Sequence, residues 1–476
     1  MPVLLRRLSG GLMAAALSAG PLNDASVRPA GMWMLICLLG TAAFCWAGGL
    51  ALERRLPATP LPVVIGLFAL TVAALFWLSN FSSATSATEF TRVHLAKIIA
   101  RWPNSVVDFD AGTVIALHAG LGLALWITCD LTRDGVWMFL FAAVMCAAGA
   151  ATALLAIAQN VTHATGIYWR TEGAMPGRFW GPFFHHTSAG AYLNTVWPLA
   201  AGFVLIATRP EFSRKAKRVV LISASVVLIL LLGAHTTHIS RFPQLAAAIV
   251  APFLAFGLFR KNGFRLRPAA LLIPVGVVAI AVCAGRTGEI TRRWRLLDFA
   301  PDKAAHAIPP ENTWPRLVRD DLLIPNIYDP GAWGDRGEAQ RTALRAIAAR
   351  PLEGHGPGNW SGAASRHSTD PYVRSFYLYL QFAHDDFLQT WTEWGAAGFV
   401  CMVILLPGSI IAVGRSEPFA DRAVSILGLC AAAGLTMVLL QSLLDFPLQI
   451  PAIALNASVL AGLGWSTISH QRPLNS

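Results

Sequence analysis

The chain has 476 residues, of which 55% are hydrophobic and only 13% charged, and its mean hydropathy is +0.53. A soluble globular chain carries about 25% charged residues, so this composition excludes a water-soluble enzyme. The net charge of +11 suits anionic headgroups or a membrane-borne anion, and in so apolar a chain it points away from nucleic acid.

A helix crossing about 30 Å of hydrocarbon needs about 20 apolar residues. The first run, Leu4–Gly20, has a basic start and small residues at its end. It reads as an uncleaved first span, with a signal-like segment as the other reading. Further apolar runs lie near Met32–Leu50, Leu61–Trp77, Ala111–Ile127, Val136–Ala158, Ala189–Ala207, Val219–Ala234, Leu245–Phe259, Pro268–Ala284, Gly395–Val413, Ala423–Leu444 and Ile453–Ile468. The predicted fold class is therefore an all-α polytopic integral membrane protein of about twelve transmembrane helices. The seven cysteines all lie in or at the ends of apolar runs without CxxC spacing, so neither a disulfide framework nor a zinc site is indicated.

Orientation follows from the basic loops, because Lys and Arg are retained in the cytoplasm. Arg209–Arg218 and Arg260–Arg267 are densely basic and are predicted to be cytoplasmic. Counting outward, Glu53–Arg55, the Arg415–Arg422 turn and the C-terminal tail fall on the same side. Gln159–Thr187, the Ser240-Arg241 turn and the long segment Gly285–Leu380 fall on the outer side. The chain thus divides into N-terminal transmembrane helices (1–284), an outer loop subdomain (285–385) and C-terminal transmembrane helices (386–476). Within the subdomain, Asp335–Arg350 has apolar residues at helical spacing and is stopped by Pro351.

Four outer segments carry polar chemistry. Arg178 precedes Gly181 at the entry to a span. His235, His238 and Arg241 cluster where another span emerges, and a charge at that depth is costly unless it is paired or functional. Gly354, Gly356 and Gly358 alternate around His355, a pattern that lets backbone N–H groups approach a ligand. It lacks the Gly-Lys-Ser/Thr ending of a nucleotide loop. His384 is the candidate general base, with Asp385 and Asp386 as neighbours able to orient it or raise its pKa. Adjacent His185 and His186 point about 100° apart on one helix, which is poor metal geometry. A basic, one-sided constellation with one candidate base suits an anionic lipid-held substrate and an incoming hydroxyl. A transporter, which favours midplane sites and repeats, and a non-catalytic scaffold are the competing classes.

In motif order the chain resembles the O-antigen ligase and polymerase superfamily of bacterial membrane glycosyltransferases. The resemblance rests on Arg178-x-x-Gly181, Ser240-Arg241, the Pro351–Gly358 loop, the Ala383–Gly395 segment and Asp445-Phe-Pro-Leu-Gln-Ile-Pro451. It implies a GT-C-like bundle with a large periplasmic loop subdomain in the inner membrane. It also implies metal-independent, inverting transfer of a polyprenyl-pyrophosphate-linked glycan, without a cofactor. The acceptor would be lipid A core in lipopolysaccharide biosynthesis, a growing polysaccharide, or a protein hydroxyl. Carried onto this chain, Arg178 and Arg241 would hold the pyrophosphate and His384 would be the catalytic base. Asp385, Gly354, Gly356, Gly358, His238 and Asp445 would support them. His185-His186-Thr187 and Asp385 depart from the common Pro-Asn and Asn of the superfamily, which bears on the acceptor.

Overall fold

The computed structural model describes residues 1–79, 111–170, 179–208, 213–238, 240–262, 334–368, 382–416 and 422–469. Arg178 and the predicted span Pro268–Ala284 lie outside the described residues. In chain order the helices are α1 (Pro2–Leu22), α2 (Pro29–Glu53), α3 (Leu61–Ser79), α4 (Ala111–Leu131), α5 (Gly135–Val161), α6 (His186–Ala207) and α7 (Arg214–Thr237). They continue with α8 (Arg241–Asn262), α9 (Gly334–Ala349), α10 (Trp360–His367), α11 (Asp386–Leu405), α12 (Pro407–Arg415), α13 (Arg422–Ser442) and α14 (Pro451–Ser469).

Among the described residues, nine helices are long and apolar enough to cross a membrane, with α11 and α12 counted together. α3 adds a shorter apolar helix over Leu61–Trp77, and α1 forms a helix outside that set. Every other predicted apolar run falls on one of these helices. The protein is an all-α, multi-pass membrane protein. Proline opens α2 and α12, where the missing N–H has no helical partner anyway. Asp134 and Ser213 cap α5 and α7 by accepting from Val136 N–H and Ala216 N–H.

α6, α13 and α14 form the centre of the bundle and pack closely through small residues. Gly202 sits under the Cys430 sulfur, Gly434 lies against the carbonyls of Asn194 and Thr195, and Gly462 lies against the Leu125 carbonyl. At the periphery Phe44, Phe68, Phe253 and Phe256 are exposed. Such an apolar exterior is favourable where lipid is the solvent.

The ends of the bundle differ. At the end predicted to be cytoplasmic, buried Asp130 accepts from both terminal nitrogens of Arg55 at 3.1 Å, from Trp46 Nε1 at 2.9 Å and from Ala58 N–H at 3.1 Å. Glu53 pairs with Arg55 at 2.6 Å and stands 3.9 Å from Arg6. This cluster joins the ends of α1, α2 and α4, which the loop count placed together. At the opposite end α9, formed over the segment predicted to be helical, packs on α11 and α10.

Candidate active site

α11 is broken by its own sequence. Gly395 adopts φ 67° and ψ −167°, a conformation open to glycine alone at low cost. The break frees backbone groups, and the Pro351–Gly358 loop satisfies them. His355 N–H donates to the Thr392 carbonyl at 2.8 Å, Gly356 N–H to the Glu393 carbonyl at 2.9 Å, and Ala396 N–H to the Leu352 carbonyl at 3.1 Å. Gly358 N–H donates to the Glu393 carboxylate at 2.9 Å, and Gly354 N–H bonds the Arg350 carbonyl at 3.2 Å. All three glycine amides are thus committed inside the protein, contrary to the expectation of N–H groups open to a ligand. Their positive φ values, 75°, 105° and 72°, shape a loop that fits the break. His355 is committed too. Its Nε2 bonds the Ala346 carbonyl at 2.9 Å, which ties the loop to α9, and burial pushes its pKa down.

His384 immediately precedes the first turn of α11 and has φ 53°. Its two neighbouring carboxylates, expected to orient it, are engaged elsewhere. Asp385 caps α11 through Leu388 N–H at 2.9 Å, one of the orphan donors at a helix start. Burial raises its pKa to about 6, against the lowering effect of the Leu388 and Phe387 N–H bonds. Asp386 is wholly buried and accepts from Ser442 Oγ at 2.7 Å, Leu448 N–H at 2.9 Å and Gln449 Nε2 at 3.0 Å. It clamps the start of α11 to the segment linking α13 and α14.

That clamp brings Asp445 to His384. The His384 Nδ1 to Asp445 Oδ1 distance is 3.5 Å, and the ring lies edge-on to Phe446 with centroids 4.9 Å apart. Burial acts to raise the Asp445 pKa, but the His384 contact and the Arg336 charge outweigh it and hold the carboxyl below its usual range.

Arg336 is the residue that sequence reasoning missed. It stands on α9, donates to the Leu444 carbonyl at 3.2 Å and lies 5.4 Å from the Phe242 ring centroid. Gln340, one turn on, donates to the Leu443 carbonyl at 3.2 Å and to the His384 carbonyl at 3.4 Å. Helical periodicity shows which face of α9 is apolar; it carries no information on what Arg336 meets across the fold.

Arg241 opens α8, half-buried and without an ion-pair partner among the described residues. The start of α8 is held by Asn194, whose Nδ2 donates to the Pro243 carbonyl at 2.9 Å. His238 and His235 are both buried and hydrogen-bonded to each other at 2.7 Å. Burial first, then the neighbouring imidazoles, push the His238 pKa well down. His185 caps α6 through Thr187 N–H at 3.4 Å and stacks on His186 with centroids 4.6 Å apart. Its proximity contributes to the low Asp445 pKa.

The structure therefore brings His384, Asp445, Arg336 and His185 together at one end of the bundle, with Phe242 linking them to the Arg241 turn. Residues 180–403 match the family described as O-Antigen ligase. The match covers a little under half of the chain. No curated protein matches the chain. The matched span holds Arg241, Arg336, the glycine loop and His384, whereas Arg178 precedes it and Asp445 follows it.

Proposed function

We propose that this protein belongs to the O-antigen ligase and polymerase superfamily and transfers a glycan from a polyprenyl-pyrophosphate carrier to an acceptor hydroxyl on the periplasmic side of the bacterial inner membrane. The observation that carries the reading is the His384–Asp445 contact at 3.5 Å, with the Arg336 charge acting on Asp445 and its guanidinium over Phe242, the residue that follows Arg241. An ionised Asp445 holds a proton on His384 Nδ1 and leaves Nε2 bare as the base. Nε2 takes the proton of the acceptor hydroxyl as that oxygen attacks the anomeric carbon. The bond from that carbon to the pyrophosphate oxygen breaks, and direct displacement inverts the anomeric configuration. Arg178 and Arg241 receive the pyrophosphate, since guanidinium forks match phosphate oxygens bidentately and stabilise charge developing on the leaving group. In this reading the arginines neutralise the leaving group and no metal is assigned a role. Arg336 keeps Asp445 ionised.

The test is a glycan profile of lipopolysaccharide and exported polysaccharide from cells lacking the protein, complemented with wild type or variants. H384A is expected to lower transfer by about 10²- to 10⁴-fold and D445N by about 10²-fold. R178A and R241A are expected to abolish it at normal membrane abundance. Loss of long glycan from lipid A core identifies a ligase, and loss of chain length with single units still attached identifies a polymerase. Full activity in all four variants would overturn the proposal.

A further inference from the structure

A second feature of the same end takes no part in the chemistry above. Between the end of α5, the Trp180–Phe183 turn and the end of α7 lies a cavity of about 70 Å³ that opens to solvent. Among the described residues its lining includes Gln159, Asn160, His163, Trp180, Thr237 and His238, and no Asp, Glu, Lys or Arg. Such a lining suits an uncharged polar ligand.

The polar groups in the lining are held and partly unmatched. Trp180 Nε1 donates to Thr237 Oγ1 at 3.0 Å, and that hydroxyl donates to the Ala234 carbonyl at 2.8 Å, so this wall is rigid. Gln159 is 3% exposed, yet neither its amide nitrogen nor its amide oxygen has a hydrogen-bond partner among the described residues. His238 is wholly buried and its Nδ1 has no hydrogen-bond partner among the described residues either.

The hydrogen-bond network assigns what His238 offers. Asn194 Nδ2 donates to the Pro243 carbonyl, and Trp197 Nε1 donates to Asn194 Oδ1 at 3.1 Å, so the amide orientation is set. His235 Nε2 must then donate to Asn194 Oδ1, at 2.8 Å. The neutral His235 ring has Nδ1 left as an acceptor, and it receives the proton of His238 Nε2. His238 Nδ1 is therefore a bare acceptor. Together with the Gln159 amide, the lining offers both donors and acceptors beside Trp180.

Buried polar groups almost always find partners, and a ring bearing hydroxyls supplies donors and acceptors at once. We propose that this cavity takes the hydroxyl-bearing edge of the neutral sugar ring that adjoins the donor's pyrophosphate; the proposal rests on the lipid-linked-glycan reading above. The position agrees. Trp180 and Gly181 belong to the Arg178 motif, and His238 lies three residues ahead of Arg241 in the sequence.

The test uses the full-length protein in lipid nanodiscs and two probes: undecaprenyl pyrophosphate, and the undecaprenyl-pyrophosphate-linked glycan extracted from cells that make it. Wild type is expected to bind the glycan-bearing lipid about tenfold tighter than the sugar-free one. Q159L is expected to lose that preference while keeping its affinity for undecaprenyl pyrophosphate, which also reports a folded protein. Q159A provides the same reading should the leucine not be accommodated. A preference retained by both variants, or equal binding of the two probes by wild type, overturns the sugar pocket and leaves the lipid-linked-carrier reading standing. Binding of neither probe by wild type overturns both.

Discussion

His384 is followed directly by two aspartates, yet the carboxylate that reaches its ring is Asp445, from the segment beyond α13. The neighbours serve the backbone instead. Asp385 is held at a helix start with a pKa of about 6 against an ordinary 3.8, so the folded state favours its neutral form. Between those two values the unfolded chain has lost the proton and the folded chain still holds it. Ionisation therefore destabilises the fold progressively from pH 3.8 to about 6, and by a constant amount above. D385N keeps a good cap and removes this cost. It is expected to stabilise the protein by about 1–3 kcal/mol above pH 6 and to gain little at pH 4. Thermal melts of the purified protein across that range check it, and a gain that does not depend on pH would refute the assignment.

Among the elements, α11 decides the geometry of the site. Its break at Gly395 both admits the 351–358 loop and lets the first turns carry His384 toward Asp445. A Cβ at Gly395 would lie 2.1 Å from the Leu352 carbonyl oxygen, in addition to the cost of the backbone conformation. G395A is expected to destabilise the protein by about 2 kcal/mol or more and to expose the 351–358 loop to protease. G337A on α9 meets nothing within 4 Å and is the contrast, expected to be neutral or stabilising by up to about 1 kcal/mol. Equal protease sensitivity of the two variants would show that the loop does not depend on the break.

For the whole molecule, the contacts between helix ends agree with a count made from basic loops alone. Arg6, Glu53, Arg55 and Asp130 meet at one end, and the Arg241 turn, His384 and Asp445 lie toward the other. A reporter enzyme active only outside the cytoplasm is therefore expected to be active when fused after Trp169 and inactive when fused after Arg55 or Ser213. The reverse pattern would invert the orientation and remove the periplasmic site.

Membrane class, the positions of the apolar runs and the order of the motifs were determined by the sequence alone, because hydropathy over about 20 residues is a local property that a helix in lipid must satisfy by itself. His384 and Arg241 stood out as candidates in the same way, as polar residues on the outer side next to apolar runs, whereas Asp445 stood out only through the resemblance. What only the tertiary structure decided was who meets whom. Asp445 rather than Asp385 faces His384, Arg336 reaches across from α9, the glycine amides close on α11, and Gln159 lines a polar cavity. Those pairings are made across the bundle by helices distant in the chain, and a buried charge or amide takes whichever partner the packing brings within reach, which no local pattern encodes.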